Sequence, residues 1–171
     1  MTFNPRKGHA ALRRGRVSQA GSEYFLTLTT TGHRTGLLAP PPTAALAAEL
    51  GAMSADGTWH VRCSTVMPDH VHLLIRLGER LPLARAVQRL KAETTAALRA
   101  AGCEWQRGFF DRRLRPDDER LLILLYIYLN PYRAGLSRAE ETWPHFRCGE
   151  EDWMWFQHEL DRNLPAPEWL M

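Results

Sequence analysis

Apolar and polar residues alternate along some stretches of the chain and recur with helical spacing along others. From Ser22 to Thr31 the run SEYFLTLTTT sets Tyr24, Leu26 and Leu28 against Phe25, Thr27 and Thr29, and its aromatic and β-branched content predicts a strand. Gly36 and Pro40 to Pro42 break that pattern, and Thr43 suits the cap of a helix over Ala44 to Met53, closed by an Asp56-Gly57 turn. Trp59 to Met67 and His70 to Leu77 read as two strands parted by Pro68-Asp69, a hairpin that Gly78 ends. From Pro82 to about Ala101, the residues Leu83, Val87, Leu90, Ala97 and Leu98 fall near helical spacing, so this is an amphipathic helix stopped by Gly102. Trp105 to Leu114 is aromatic enough for a short strand. Pro116 with Asp117, Asp118 and Glu119 opens a last helix; its run LLILLYIYLN is apolar nearly all round and so buried, and Pro131 is expected to end it.

The order β-α-β-β-α-β-α predicts an α+β fold, the ferredoxin-like split β-α-β sandwich. It has an antiparallel sheet, helices on one side and an extra C-terminal helix. A chain of 171 residues has room for one sizeable core. We divide it into a basic N-terminal arm (1–20), a body (21–146) and an acidic, aromatic C-terminal tail (147–171). No apolar run approaches the ~20 residues that span a bilayer, and the first twenty residues lack the apolar stretch of a secretory signal, so the expectation is a cytoplasmic protein without a membrane segment. Cys63, Cys103 and Cys148, widely spaced and without a CxxC pair, fit a reducing compartment. His145 and Cys148 make at most half of a zinc site and read as structural.

Charge sharpens the picture. Residues 1–139 hold 20 cationic against 11 anionic side chains, whereas residues 140–171 hold 2 against 8. Arginine supplies 20 of the 22 cations, and its planar fork matches phosphate. A basic body points toward nucleic acid. Arg13, Arg14 and Arg16 in the arm, with Arg85, Arg89, Lys91, Arg107, Arg112 and Arg113, are candidate phosphate contacts. Trp153, Trp155 and Phe156 would either stack on bases or pack back on the body. A tail of this sign is expected to lie over the basic body and compete with nucleic acid.

Two constellations carry chemistry. His70-Val71-His72 opens a strand, so both imidazoles project from one face, a natural divalent-metal pair with Asp69 or Asp111 to orient a ring; paired surface histidines are the alternative. On the last helix Tyr126 and Asn130 stand one turn apart on one face, Tyr128 points roughly opposite, and Tyr132 falls beyond the expected helix end. A core tyrosine is the alternative for Tyr126.

The stretches VMPDHVHLLI (66–75), WQRGFFDRRLR (105–115) and YIYLNPYRAGL (126–136), with the early strand YFLTLT, resemble the REP-associated tyrosine transposases. These belong to the single-tyrosine HUH transposase group related to IS200/IS605. The resemblance covers roughly residues 12 to 146. It implies that His70 and His72 bind Mg²⁺ or Mn²⁺, that Tyr126 is the nucleophile, and that Asn130 is a further metal ligand. It also implies cleavage and strand transfer of single-stranded, hairpin-forming DNA through a 5′-phosphotyrosine linkage, by a monomer, with a dimer as the alternative. A hairpin-DNA-binding protein that keeps this fold without cutting is the alternative, and a metal hydrolase with water as nucleophile a third reading.

Overall fold

Alternation along two central strands sets the architecture. In the computed structural model, which describes residues 18–115, 120–160 and 164–165, β1 (Glu23–Thr29) and β3 (His70–Leu77) pair antiparallel at the middle of a sheet. Strand β4 (Phe110–Arg113) lies outside β1, β2 (Trp59–Val66) outside β3, and β5 (Phe146–Cys148) beyond β2, giving the order β4-β1-β3-β2-β5. Tyr24, Leu26 and Leu28 share one buried cluster with Val71, Leu73, Ile75 and Leu77, covered by α1 (Pro40–Ala55) and α2 (Leu83–Ala100). Phe25, Cys63 and Leu74 face the other way, toward Leu124, Ile127 and Tyr128 of α3 (Arg120–Arg133). The sheet is therefore buried on both sides, and the split β-α-β plan expected from the pattern is the one observed. Gly57 turns the chain into β2 with φ +77°, and a Cβ on Gly78 would meet the Gly57 carbonyl at 1.9 Å, so the end of β3 crosses this turn only as glycine. Among the described residues no helix is long and apolar enough to cross a membrane.

The structure corrects four details. Helix α1 begins at Pro40 rather than Ala44, because prolines in a first turn need no amide partner; Thr43 lies inside it, its hydroxyl bonded to the Ala39 and Pro40 carbonyls. The strand expected over Trp105 to Leu114 contracts to Phe110–Arg113, with Trp105 reduced to a single bridge with Thr30. Pro131 does not end the last helix, which runs to Arg133 and takes in Tyr132. Burial of Pro131 and Tyr132 outweighs the missing amide, and the Tyr132 hydroxyl donates to the Glu141 carbonyl (2.9 Å) while accepting from the Trp143 amide (3.2 Å). The expected start of that helix, at Pro116, lies outside the described residues.

The fourth detail is the C-terminal segment. Strand β5 straddles the expected boundary at residue 146, and α4 (Glu150–Phe156) follows it. Phe156 is fully buried against Tyr128, and Trp153 packs beside it; Trp155 stays half-exposed. Asp152 takes a bidentate pair of bonds from Arg62, at 2.6 and 2.5 Å, and Arg62 also reaches Glu23 at 3.2 Å. Arg62 sits where the β2·β3 register shifts, between Val61 and Cys63. Phe156→Ala is expected to cost about 3–5 kcal/mol of unfolding free energy in urea titrations, and Trp155→Ala no more than about 0.5 kcal/mol. Equal, small losses would show the segment to be no part of the core.

Candidate active site

Register brings the site together. Thr27 of β1 and Thr65 of β2 stand opposite His72 on either side, and Thr29 stands opposite His70. Because opposed residues share a face, His72 lies on the α3 side with Phe25, while Val71 and Leu73 enter the other core. His72 is buried. Its Nδ1 lies 2.9 Å from the Thr27 hydroxyl, and His70 Nδ1 lies 2.6 Å from Asp69 Oδ1. Both Nδ1 atoms are thus occupied, and the two Nε2 atoms face each other at 3.1 Å. With protons held on both Nδ1 atoms, two lone pairs converge there, a spacing close to the ~3 Å between adjacent donors of one octahedral cation with bonds of about 2.1 Å. The Thr65 hydroxyl, fully buried on the same face, has no hydrogen-bond partner among the described residues.

Helix α3 supplies the phenol. The Tyr126 ring centroid lies 5.2 Å from that of His72 and 5.7 Å from that of Phe25, and Phe25 itself stacks on His72 at 5.5 Å. Asn130, one turn further on, donates through Nδ2 to the Tyr126 carbonyl at 3.3 Å, so the amide lies along the same side of the helix. Tyr128 points away. Its ring packs on Tyr132, Phe146 and Phe156, and burial together with the Tyr132 hydroxyl pushes its pKa up. The sequence left Asp69 and Asp111 as partners for the imidazoles. Asp111 stands opposite Leu26, on the α1/α2 side, and Asp69 is the carboxylate at the site. Burial pushes the Asp69 pKa up, but bonds from His70 and His33 outweigh it and hold the group ionised below its usual range.

The candidate phosphate contacts are scattered. Arg85, Arg89 and Lys91 belong to α2, across the sheet from His72. Arg89 pairs with Glu49 and Asp56, Arg85 with Gln88, and the Lys91 ammonium donates to the Gln106 and Gly108 carbonyls, fixing the loop before β4. Arg107 is exposed in that loop. Arg112 stands opposite Phe25, on the same face as the histidines, and Arg113 donates to Gln19 at 2.9 Å. A cleft of about 570 Å³ lined by Gln19, Glu23, Arg113, Arg115 and Arg120 opens at the far end of β1, roughly 13 Å along the strand from Thr27. Arg13, Arg14 and Arg16 lie outside the described residues. Phe25, Thr27, Thr65 and His33 escaped the sequence reading as site residues. For the first two the alternation of β1 was the available signal, since it sets Phe25 and Thr27 on one face.

A family model described as transposase IS200 like matches residues 27–114, just over half of the chain. The match holds both histidines and stops short of Tyr126. A Haemophilus influenzae protein named for the REP-associated tyrosine transposases is 32% identical over 95 residues, 47% of this chain and 53% of that protein, so the chain spans about half of the relative's length. Among solved structures, a REP-associated tyrosine transposase bound to a REP hairpin superposes with a TM-score of 0.65 at 23% identity, covering 77% of this chain and 79% of that one. The fold is shared.

Burial of the His72 ring, aided by neighbouring His70 and opposed by Asp69, lowers its pKa to about 3. Between the ordinary value of 6.5 and that value, the unfolded chain binds a proton that the native ring refuses, so this group's contribution to stability falls as pH falls. In EDTA, unfolding free energies from urea titrations between about pH 6.5 and pH 5 should therefore drop more steeply for the wild type than for His72→Gln. One proton accounts for at most about 1.4 kcal/mol per pH unit. Identical slopes would mean the ring is charged or exposed in the native protein.

Proposed function

This chain belongs to the IS200-like transposase family, and we propose that it cuts and rejoins single strands of hairpin-forming DNA, with Tyr126 as nucleophile and Mg²⁺ or Mn²⁺ as cofactor. The observation that carries the reading is the Tyr126 phenol ring packed against His72, beside two Nε2 atoms at 3.1 Å. His70 and His72 would hold the cation, with Asn130 as a third donor. Among the described residues no group of three or more His, Cys, Asp or Glu side chains forms a metal site, so amide, water and substrate oxygens would complete the donor set. The solved neighbour's structure bound to a REP hairpin, and the arginine-rich body of this chain, support DNA of that kind as the substrate.

The chain's own residues prepare the reaction in a definite way. Asp69 and Thr27 stand where they can hold the Nδ1 protons of the two imidazoles, the tautomer that would leave both Nε2 lone pairs to one point. Burial keeps His72 neutral, the form that ligates. Phe25, edge-on to Tyr126 and stacked on His72, fixes the separation of phenol and imidazole. Attack by the Tyr126 oxygen forms the bond to phosphorus, the phenolic proton is lost, and the P–O3′ bond breaks. The products are a 5′-phosphotyrosine and a 3′ oxygen that takes up a proton. Reversal onto another 3′-OH joins strands without a further energy source. When bound, the divalent cation supplies charge against that developing on the scissile phosphate. The Tyr126 ring packs on His72 of its own chain, an arrangement that suits a monomer as the active unit.

Incubation with hairpin-bearing single-stranded DNA and Mn²⁺, followed by a denaturing gel, should give a covalent protein–DNA band. Tyr126→Phe is expected to lose it by more than about 10³-fold, whereas Tyr128→Phe retains it. Cut product without the band would assign water as nucleophile, and retarded but uncut DNA on a native gel would make the protein a binder alone. His70→Ala or EDTA should reduce cleavage by more than about 10²-fold while leaving DNA retardation in place, and undiminished cleavage in EDTA would remove the cation from the mechanism.

A further inference from the structure

After β1 the chain enters a tight turn, Thr31–His33, that wraps the Pro68-Asp69 connection. The Thr30 amide and hydroxyl both donate to the Asp69 carbonyl, at 2.9 and 3.0 Å, and the Gly36 and Leu37 amides donate to the Pro68 carbonyl. His33 ends the turn with φ 55°, the one left-handed non-glycine residue among those described. Its side chain is 68% exposed, so apolar burial does not account for an imidazole there; glycine or asparagine would accept the backbone with less strain. What the ring contributes is a bond: His33 Nδ1 lies 2.6 Å from Asp69 Oδ2, while Asp69 Oδ1 lies 2.6 Å from His70 Nδ1. One carboxylate is gripped at both oxygens by imidazoles from two separate elements.

We propose that His33 is a positioning residue for His70, acting through Asp69. By occupying Oδ2 it pins the Asp69 side chain so that Oδ1 receives the His70 Nδ1–H bond, which directs His70 Nε2 at His72. Without His33 the carboxylate is free to rotate into water, and the His70 ring loses the partner that fixes its tautomer and plane. The inference rests on the metal reading of the histidine pair for its effect on affinity, but its structural step concerns the metal-free protein.

Two substitutions separate the ring from the turn. His33→Gly accepts the left-handed backbone and removes the donor. His33→Asn also accepts it and sets an amide nitrogen, Nδ2, at the position of the imidazole Nδ1. In the metal-free protein, ¹⁵N–¹H spectra of the histidine rings should show the His70 Nδ1–H signal in the wild type and in His33→Asn, and its loss or broadening in His33→Gly, with no fall in melting temperature. Mn²⁺ titrations read by electron paramagnetic resonance should show about tenfold weaker binding for His33→Gly, and binding within about threefold of the wild type for His33→Asn. A His33→Gly protein with an unchanged His70 signal, or a His33→Asn protein as impaired as His33→Gly, would overturn the proposal. Should the wild type itself fail to bind Mn²⁺, the metal reading falls, and the metal-free spectra still decide whether His33 holds His70.

Discussion

The antiparallel register that sets Thr27 opposite His72 decides what the rest of the molecule can present, because side chains on a strand alternate between two faces. A slip of one residue between β1 and β3 would send His70 and His72 into the core under α1 and α2 and turn Val71 and Leu73 toward the phenol. That register is held by burial on both sides at once. Leucine, isoleucine and valine fill one face, and Phe25, Leu74 and the apolar side of α3 fill the other. The polar site is thus a small patch of hydrogen-bonded rings set into an otherwise apolar face, where low dielectric keeps His72 neutral and strengthens the bonds that orient its neighbour.

The central strands and the second helix were legible because each has a single period. His70–Leu77 was read to the residue, and its HVH sequence puts two imidazoles on one face whatever else the chain does. Local rules failed where tertiary burial overrode them. Three prolines at 40–42 look like a break and begin a helix, and Pro131 looks like a stop and is buried inside one. Tyr126 stands out in the sequence by its place in YIYLNP, but that its ring meets His72 follows from packing of α3 across the sheet, which no local pattern encodes. His33 gave no signal, since an exposed histidine in a turn acquires its meaning from Asp69, 36 residues away.

Charge along the sequence proved a coarse guide to charge in space. The acidic C-terminal segment commits Asp152 to Arg62 inside the fold, and Arg89 and Lys91, read as phosphate contacts, are engaged with carboxylates and carbonyls across the sheet from the site. Arg112 and Arg113 stand nearer, on the edge strand that leads from the histidines to the arginine-lined cleft. Strand β4, short as it is, carries cations along one edge of the sheet.

Helix α3 is tied down at both ends of its described length, by Arg120 on Glu23 and by the Tyr132 hydroxyl on the loop at Glu141 and Trp143. Tyr126 sits mid-span on a beam with two fixed supports, so the helix resists rolling about its long axis. The freedom left to its hydroxyl is therefore rotation about the tyrosine's own Cα–Cβ and Cβ–Cγ bonds, and under the proposed reaction a short arc past the edge of Phe25 would be its route to a phosphorus atom.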